Sequence, residues 1–295
     1  MKRAHYSEYD EETTVRCERA LVTVLGNVGL WRERVYLAGG LAPRYLVGQL
    51  PQGARAHVGT ADVDLVIGLA VEPVPPDTYY TLATNLERAG FSQSEPSFRW
   101  IREVDGIRVV IELLGESEAV EPGRSFRPHG QRTGSALSLL NIPGANLAAR
   151  DYIEVTVEQD RLDDGGRSRV GVRVVNVLAY AVLKIQAFQD RHENKDAYDL
   201  VFTLLNYPGG PDAAGRAAAA SLIAGEPRVE AAVTLLEGRF AAPDLDGPMA
   251  YAGFVADVGD GEETLRRRQE AVATVRAFLL TFRTGPAQAP GEARP

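Results

Sequence analysis

The 295-residue chain is poor in sulfur and in lysine. It holds one cysteine, Cys17, and two methionines. A lone thiol closes no internal disulfide, which excludes the stapled scaffolds of small secreted domains. Four histidines are scattered without zinc-ligand spacing. Lysine stands only at positions 2, 184 and 195, the rest of the basic side being arginine. No apolar run approaches the ~18 residues that a membrane span needs. The segment MKRAHYSEYDEETT is polar and acidic and lacks the apolar stretch of a signal peptide, so a cytoplasmic protein without a membrane partner is expected. Missing too are G-x-x-x-x-G-K-[ST], G-x-S-x-G and H-E-x-x-H, which excludes an ordinary P-loop and removes the commonest hydrolase and zincin readings.

What is present is ordinary for a globular protein: 45% hydrophobic and 24% charged residues, which excludes wholesale disorder. The net charge of −8 argues against indiscriminate nucleic-acid binding, which phosphate neutralisation drives. It permits a local basic patch.

Periodicity predicts a helix over 10–28, a short strand over Val35–Ala38, a Gly-Gly turn, and a helix from near Leu41 with Pro43 in its first turn. GARAHVGT reads as a loop and DVDLVIGL as a buried strand; residues 76–90 read as a helix. FRWIREV-DG-IRVVIELLG is a hairpin signal. Residues 115–134, rich in Gly, Pro, Arg and Ser, read as a long loop, followed by strands around 135–140, 152–157 and 169–175. Helical patterns then fill 176–191, 195–206, 213–224, 227–238 and 261–283. The expectation is an α+β protein: a mixed α/β lobe over 1–175, a mainly helical lobe over 176–284, and a disordered tail over 285–295.

Asp62 and Asp64 open the strand ADVDLVIGL. Residues two apart on a strand share a face, which sets the two carboxylates side by side, roughly 7 Å apart at Cα. Glu112 is the one acid inside the apolar run IRVVIELLG, and a buried carboxylate must be paired, protonated or metal-bound. Three such acids on neighbouring strands would suit Mg²⁺, a hard cation. Two such ions about 4 Å apart can activate a hydroxyl and stabilise a departing pyrophosphate. Each element alone also fits a bland role: Asp62 in a turn, Glu112 on a solvent-facing hairpin edge. Gly39-Gly40 is either a tight turn or a backbone cradle for an anion. Thr60 bonds either its own backbone or a phosphate oxygen. Lys184 lies in the strongly apolar NVLAYAVLKIQAFQDR, where it either snorkels or has a charged partner. Arg191 falls on the same helix face two turns later. Asn194 offers a cap for the next helix, whose first turn holds Asp196, a residue suited to the helix dipole or to holding Lys184.

Together these pieces resemble the nucleotidyltransferase superfamily with a DNA polymerase β-like core, through Gly39-Gly40, Asp62-Val63-Asp64 and Glu112. More narrowly, LAGGLAPRYLVG, GTADVDLVI and LKIQAFQDRHENKDAYDLVFTLL resemble the AbiEii/MenT-type toxins of type IV toxin–antitoxin systems, over roughly residues 35–206. The resemblance implies a nucleotidyltransferase-type mixed-sheet lobe and Mg²⁺-dependent transfer of nucleotides from NTP to an RNA, the tRNA 3′ end above all, to block translation. It implies metal ligands at Asp62, Asp64 and Glu112, with Lys184 and Asp196 completing the catalytic set. Gly39, Gly40, Thr60, Lys184 and Arg191 become nucleotide contacts. It further implies a winged-helix or kinase-like antitoxin, the latter phosphorylating a hydroxyl beside D-x-D; on Thr60 that would add about two negative charges to the site. The gap from Gly40 to Asp62 exceeds that of compact members and implies a loop insertion. Arg124, Arg127, Arg132 and Arg150 are candidates for RNA backbone contact. The alternatives are transfer to a small molecule, favoured by the acidic pI, and a catalytically silent nucleotide- or antitoxin-binding module.

Overall fold

Strand periodicity organises the first half of the chain. In the computed structural model, which describes residues 5–27, 29–50, 52–68, 76–104, 106–128, 137–162, 165–256 and 259–285, β1 (Val35–Ala38) pairs antiparallel with β2 (Asp62–Ile67). Val63 and Leu65 are buried while Asp62 and Asp64 stay half-buried, the alternation that a period of two imposes. After α3 (Pro76–Arg88) and the short β3 (Ser92–Gln93), β4 (Arg99–Val104) and β5 (Ile107–Gly115) form the expected hairpin. Asp105 itself lies outside the described residues. β5 also pairs parallel with β2. It is therefore an interior strand, and Glu112 is no edge residue. β8 (Tyr152–Asp160) and β9 (Arg167–Val175) complete the order β3-β4-β5-β2-β1-β9-β8. The sheet is mixed, as the α+β reading requires.

Two local expectations are corrected. The Gly-Gly segment opens no long helix: Gly39–Leu41 is a 3-10 turn and α2 (Pro43–Leu46) a single helical turn. Four residues align too few peptide dipoles for a useful macrodipole. The central segment is not all loop either, because β6 (Ser125–Phe126) pairs with β7 (Leu139–Asn141), which pairs parallel with the end of β5. α1 (Glu11–Asn27) sets Cys17, Leu21 and Val24, at helical spacing, against β2, β5, β8 and β9.

The chain divides into two compact units. One holds Ser7–Tyr45 and His57–Leu183 and contains the sheet; the other holds Met1–Tyr6, Leu46–Ala56 and Lys184–Pro295. The division falls inside α4 (Val177–Arg191) rather than near residue 175. Leu46–Ala56 joins the helical unit through hydrogen bonds: Gly48 N–H donates to the Asn206 carbonyl (3.2 Å) and Tyr6 Oη to the Ala56 carbonyl (2.8 Å). That unit continues through α5 (Asn194–Leu205), α6 (Gly210–Ala219), α7 (Pro227–Phe240), α8 (Asp246–Val255) and α9 (Gly261–Thr284). Its core includes Phe188, Tyr198, Phe254 and Phe278, with Tyr198 and Phe254 ring centroids 4.7 Å apart. α8 escaped the sequence reading because DGPMAYAGFV is apolar nearly all round and carries Pro248. A proline in the first helical turn removes only an N–H that lacks an intrahelical partner anyway. Residues 286–295, expected as a tail, lie outside the described residues. No described helix is long and apolar enough to cross a membrane.

Candidate active site

The acid pair of β2 is set up by α1. Gly59 has φ +73°, and a Cβ there would fall 1.8 Å from Thr14 Oγ1. Only glycine permits that approach. The next residue is then fixed at both backbone groups: Thr60 N–H donates to Thr14 Oγ1 (3.3 Å), and Cys17 Sγ donates to the Thr60 carbonyl (3.6 Å). Burial, with the charges of Asp62 and Asp64, pushes the Cys17 thiol well above its ordinary pKa, so it remains a protonated donor. Thr60 is 3% exposed, and its hydroxyl donates to Asp62 Oδ1 at 2.5 Å. The hydroxyl that the resemblance offers to phosphate is thus turned onto the first acid.

Asp64 is placed by the turn after β1. Gly39 has φ +63°, and a Cβ built on it would sit 1.6 Å from Asp64 Oδ2. The missing side chain is the space that the carboxylate occupies. Register then lines up a row across four strands: Ala38 opposite Asp64, Asp64 opposite Glu112, Glu112 opposite Arg99. Arg99 Nε lies 2.6 Å from Glu112 Oε1, with the acid's side chain 14% exposed and the arginine's 41%. Glu112 is therefore a nearly buried, ion-paired carboxylate. Among the described residues no three His, Cys, Asp or Glu side chains gather as a metal-binding group. Mg²⁺ commonly takes one or two carboxylates plus substrate phosphates and water, and Asp62 with Asp64 on one face fit that smaller requirement.

Around this unit Arg124, Arg127 and Arg150 are exposed; Arg132 lies outside the described residues. Arg124 and Arg127 flank β6, and Arg150 follows the 3-10 turn Ala145–Ala149.

In the helical unit, Lys184, Arg191 and Asp196 are brought together as their spacing suggested, and two further residues join them. Lys184 Nζ lies 3.1 Å from Asp196 Oδ1 but 2.6 Å from Asp199 Oδ2. Lys195 Nζ lies 2.9 Å from both oxygens of Asp199. Arg191 grips Asp196 with two donors, Nε to Oδ2 (2.6 Å) and Nη2 to Oδ1 (2.8 Å). The helix cap is Glu193 rather than Asn194, and it makes no side-chain capping bond. Burial would raise the Asp196 pKa, but the charges of Lys184 and Arg191 outweigh it and hold the carboxyl below its usual range.

Sequence reasoning missed Arg99, Asp199 and Lys195, and each had a signal. A two-residue Asp-Gly turn fixes the hairpin register, so Arg99 must oppose Glu112. Positions 196 and 199 share a helix face, and 195 and 199 are i,i+4 neighbours. Compared with family models, curated proteins and solved structures, the chain matches none.

Proposed function

We propose that the chain is a Mg²⁺-dependent nucleotidyltransferase that moves a nucleotide from NTP to an RNA acceptor, with the tRNA 3′ end as first choice. The observation that carries this reading is Asp62 and Asp64 side by side on β2, the second seated in the gap left by Gly39. Asp62 and Asp64 would hold the metal, which when bound supplies charge neutralisation at the phosphoryl oxygens. The acceptor hydroxyl gives up its proton to water as its oxygen bonds to the α-phosphorus, the bond from that phosphorus to the bridging oxygen breaks, and pyrophosphate leaves. The residues contribute positioning and charge rather than a covalent nucleophile. Thr60 orients Asp62 through its 2.5 Å hydrogen bond, and Arg99 orients Glu112 beside the acceptor. Exposed Arg124, Arg127 and Arg150 are assigned to RNA phosphates, and a winged-helix or kinase-like antitoxin is the expected protein partner.

The test is incubation of purified protein with tRNA, Mg²⁺ and each labelled NTP in turn. Incorporation is expected with at least one NTP and should fall about a thousandfold or more in Asp64→Ala. No incorporation, or incorporation indifferent to Asp64, refutes the reading. One observation favours a second reading, a nucleotide-binding module without turnover: Glu112 is committed to Arg99. Nucleotide-dependent thermal stabilisation with no product would establish that reading instead.

A further inference from the structure

The mixed sheet ends differently at its two sides. At one side lies β3, two residues long, and so short an edge offers little for another chain to pair with. At the other lies β8, nine residues of YIEVTVEQD without the proline or lysine that commonly blunts an exposed edge. What guards it instead is charge of one sign, which repels a like strand and attracts an opposite one.

The hydrogen-bond parity of the β8–β9 hairpin tells which backbone groups face outward. The Arg161 N–H donates to the Gly166 carbonyl at one end (2.9 Å), and the Asn176 N–H to the Asp151 carbonyl at the other (2.9 Å). Odd-numbered residues of β8 therefore bond to β9, and even-numbered ones turn N–H and C=O away from it. Asp160 agrees: its carbonyl accepts from Arg19 Nε (3.3 Å) and its N–H donates to Gln159 Oε1 (3.2 Å), both outside the ladder. The outward backbone groups of Glu154, Thr156 and Glu158 have no such cover among the described residues. Their side chains share one exposed face, while Val157 on the other face is buried. Across the exposed face β9 sets arginines: Arg173 opposite Glu154, Arg169 opposite Glu158, Arg167 opposite Asp160. Glu154 pairs with Arg173 (3.0 Å) and Glu158 with Arg167 (2.6 Å), yet the two glutamates remain 66% and 49% exposed. An acid row bordered by arginines on one side and by water on the other leaves room for a further, cationic strand. Such a row repels RNA phosphates, and it disfavours a second copy of β8 whose glutamates fall opposite one another.

We propose that the outer edge of β8 is a docking site for an extended segment of another protein, one that carries arginine or lysine at alternate positions and adds to the sheet as an antiparallel strand. Ladder hydrogen bonds supply the affinity, and pairing of its cations with Glu154 and Glu158 sets the register and rejects acidic strands. This site goes beyond the nucleotidyltransferase reading and does not depend on it.

The probe is a labelled synthetic peptide with the β9 sequence, RSRVGVRVV, titrated with the full chain by fluorescence anisotropy beside a copy whose arginines are replaced by glutamates. The arginine peptide should bind saturably, and the glutamate copy about tenfold or more weaker. Thr156→Pro should weaken binding about tenfold or more, since proline removes an outward donor while leaving the bonds to β9 in place. Glu154→Gln with Glu158→Gln should weaken it about fivefold and flatten its salt dependence. On the unmodified protein, the peptide should slow amide hydrogen exchange at Glu154, Thr156 and Glu158 and leave Val155 and Val157, already bonded to β9, unchanged. That readout is independent of any variant's folding. No binding, equal affinity for the glutamate copy, or protection confined to other strands overturns the proposal. So does a dimer of the chain in sedimentation that Thr156→Pro dissociates, because a second copy then covers the edge.

Discussion

The two units treat the carboxylate in opposite ways. On β2 and β5 the acids lie on one face of a sheet, each with a partner in its own neighbourhood: Thr60 for Asp62, the gap at Gly39 for Asp64, Arg99 for Glu112. On α5 the acids are buried, and each is shared by two cations. Desolvation explains the contrast. A half-buried carboxylate keeps enough water to exchange one partner for another, whereas a fully buried one must keep every charge it has recruited. Asp62 and Asp64 are therefore suited to a ligand that comes and goes, whereas Glu112 keeps its arginine. The helix acids are suited to holding their neighbours still.

That contrast breaks most sharply at Gly39. In Gly39→Ala the added methyl would meet Asp64 Oδ2 at 1.6 Å with the backbone at φ +63°. A left-handed alanine costs about 1–2 kcal/mol, and a forced shift of packed atoms adds roughly 1–3 kcal/mol. We expect a loss of about 3 kcal/mol in chemical denaturation together with loss of nucleotide incorporation. An alanine variant with unchanged stability and activity would show that Asp64 does not depend on that gap.

How much of this was legible in the sequence follows from the same physics. A strand period of two placed Asp62 and Asp64 on one face without any knowledge of the fold, and the apolar run around Glu112 announced a buried acid. Its partner was legible as well, since the Asp-Gly turn fixes the register that sets Arg99 opposite. The one-turn α2 was not: the Gly48 N–H, which a longer helix would bond to the carbonyl four residues before it, goes instead to the carbonyl of Asn206, a residue remote in the chain. Asp199 was masked by Asp196: both sit on one face of α5, and local spacing cannot say which lies nearer to Lys184. The return of Leu46–Ala56 to the helical unit likewise rests on contacts with no local signature.

A smaller effect sharpens the comparison from the helical side. The folded Asp196 carboxyl titrates below its ordinary value. Its stabilising contribution is therefore fully present above the unfolded pKa, near ~4. It is lost as pH falls through the lower folded value. Urea unfolding between about pH 5 and pH 2.5 should show wild type losing stability more steeply below about pH 4 than Asp196→Asn. Parallel curves for the two proteins would show that Lys184 and Arg191 do not hold the charge of Asp196.

The smallest expected effect concerns the link that brings α4 and α5 into register. His192 is the one non-glycine among the described residues with positive φ, +52°. Its N–H closes α4 on the Phe188 carbonyl at 2.9 Å, the usual place for a left-handed residue at a helix end. Glycine there relieves about 1 kcal/mol of steric cost, but it loses part of this to the greater freedom of the unfolded chain. We expect His192→Gly to gain about 0.5 kcal/mol, a rise of roughly 1–2 °C in Tm for a chain of this size. His192→Val places a β-branched side chain in the same conformation and should cost roughly 1–2 kcal/mol. If urea unfolding finds valine and glycine equally stable at this position, the left-handed conformation of residue 192 is not what closes α4.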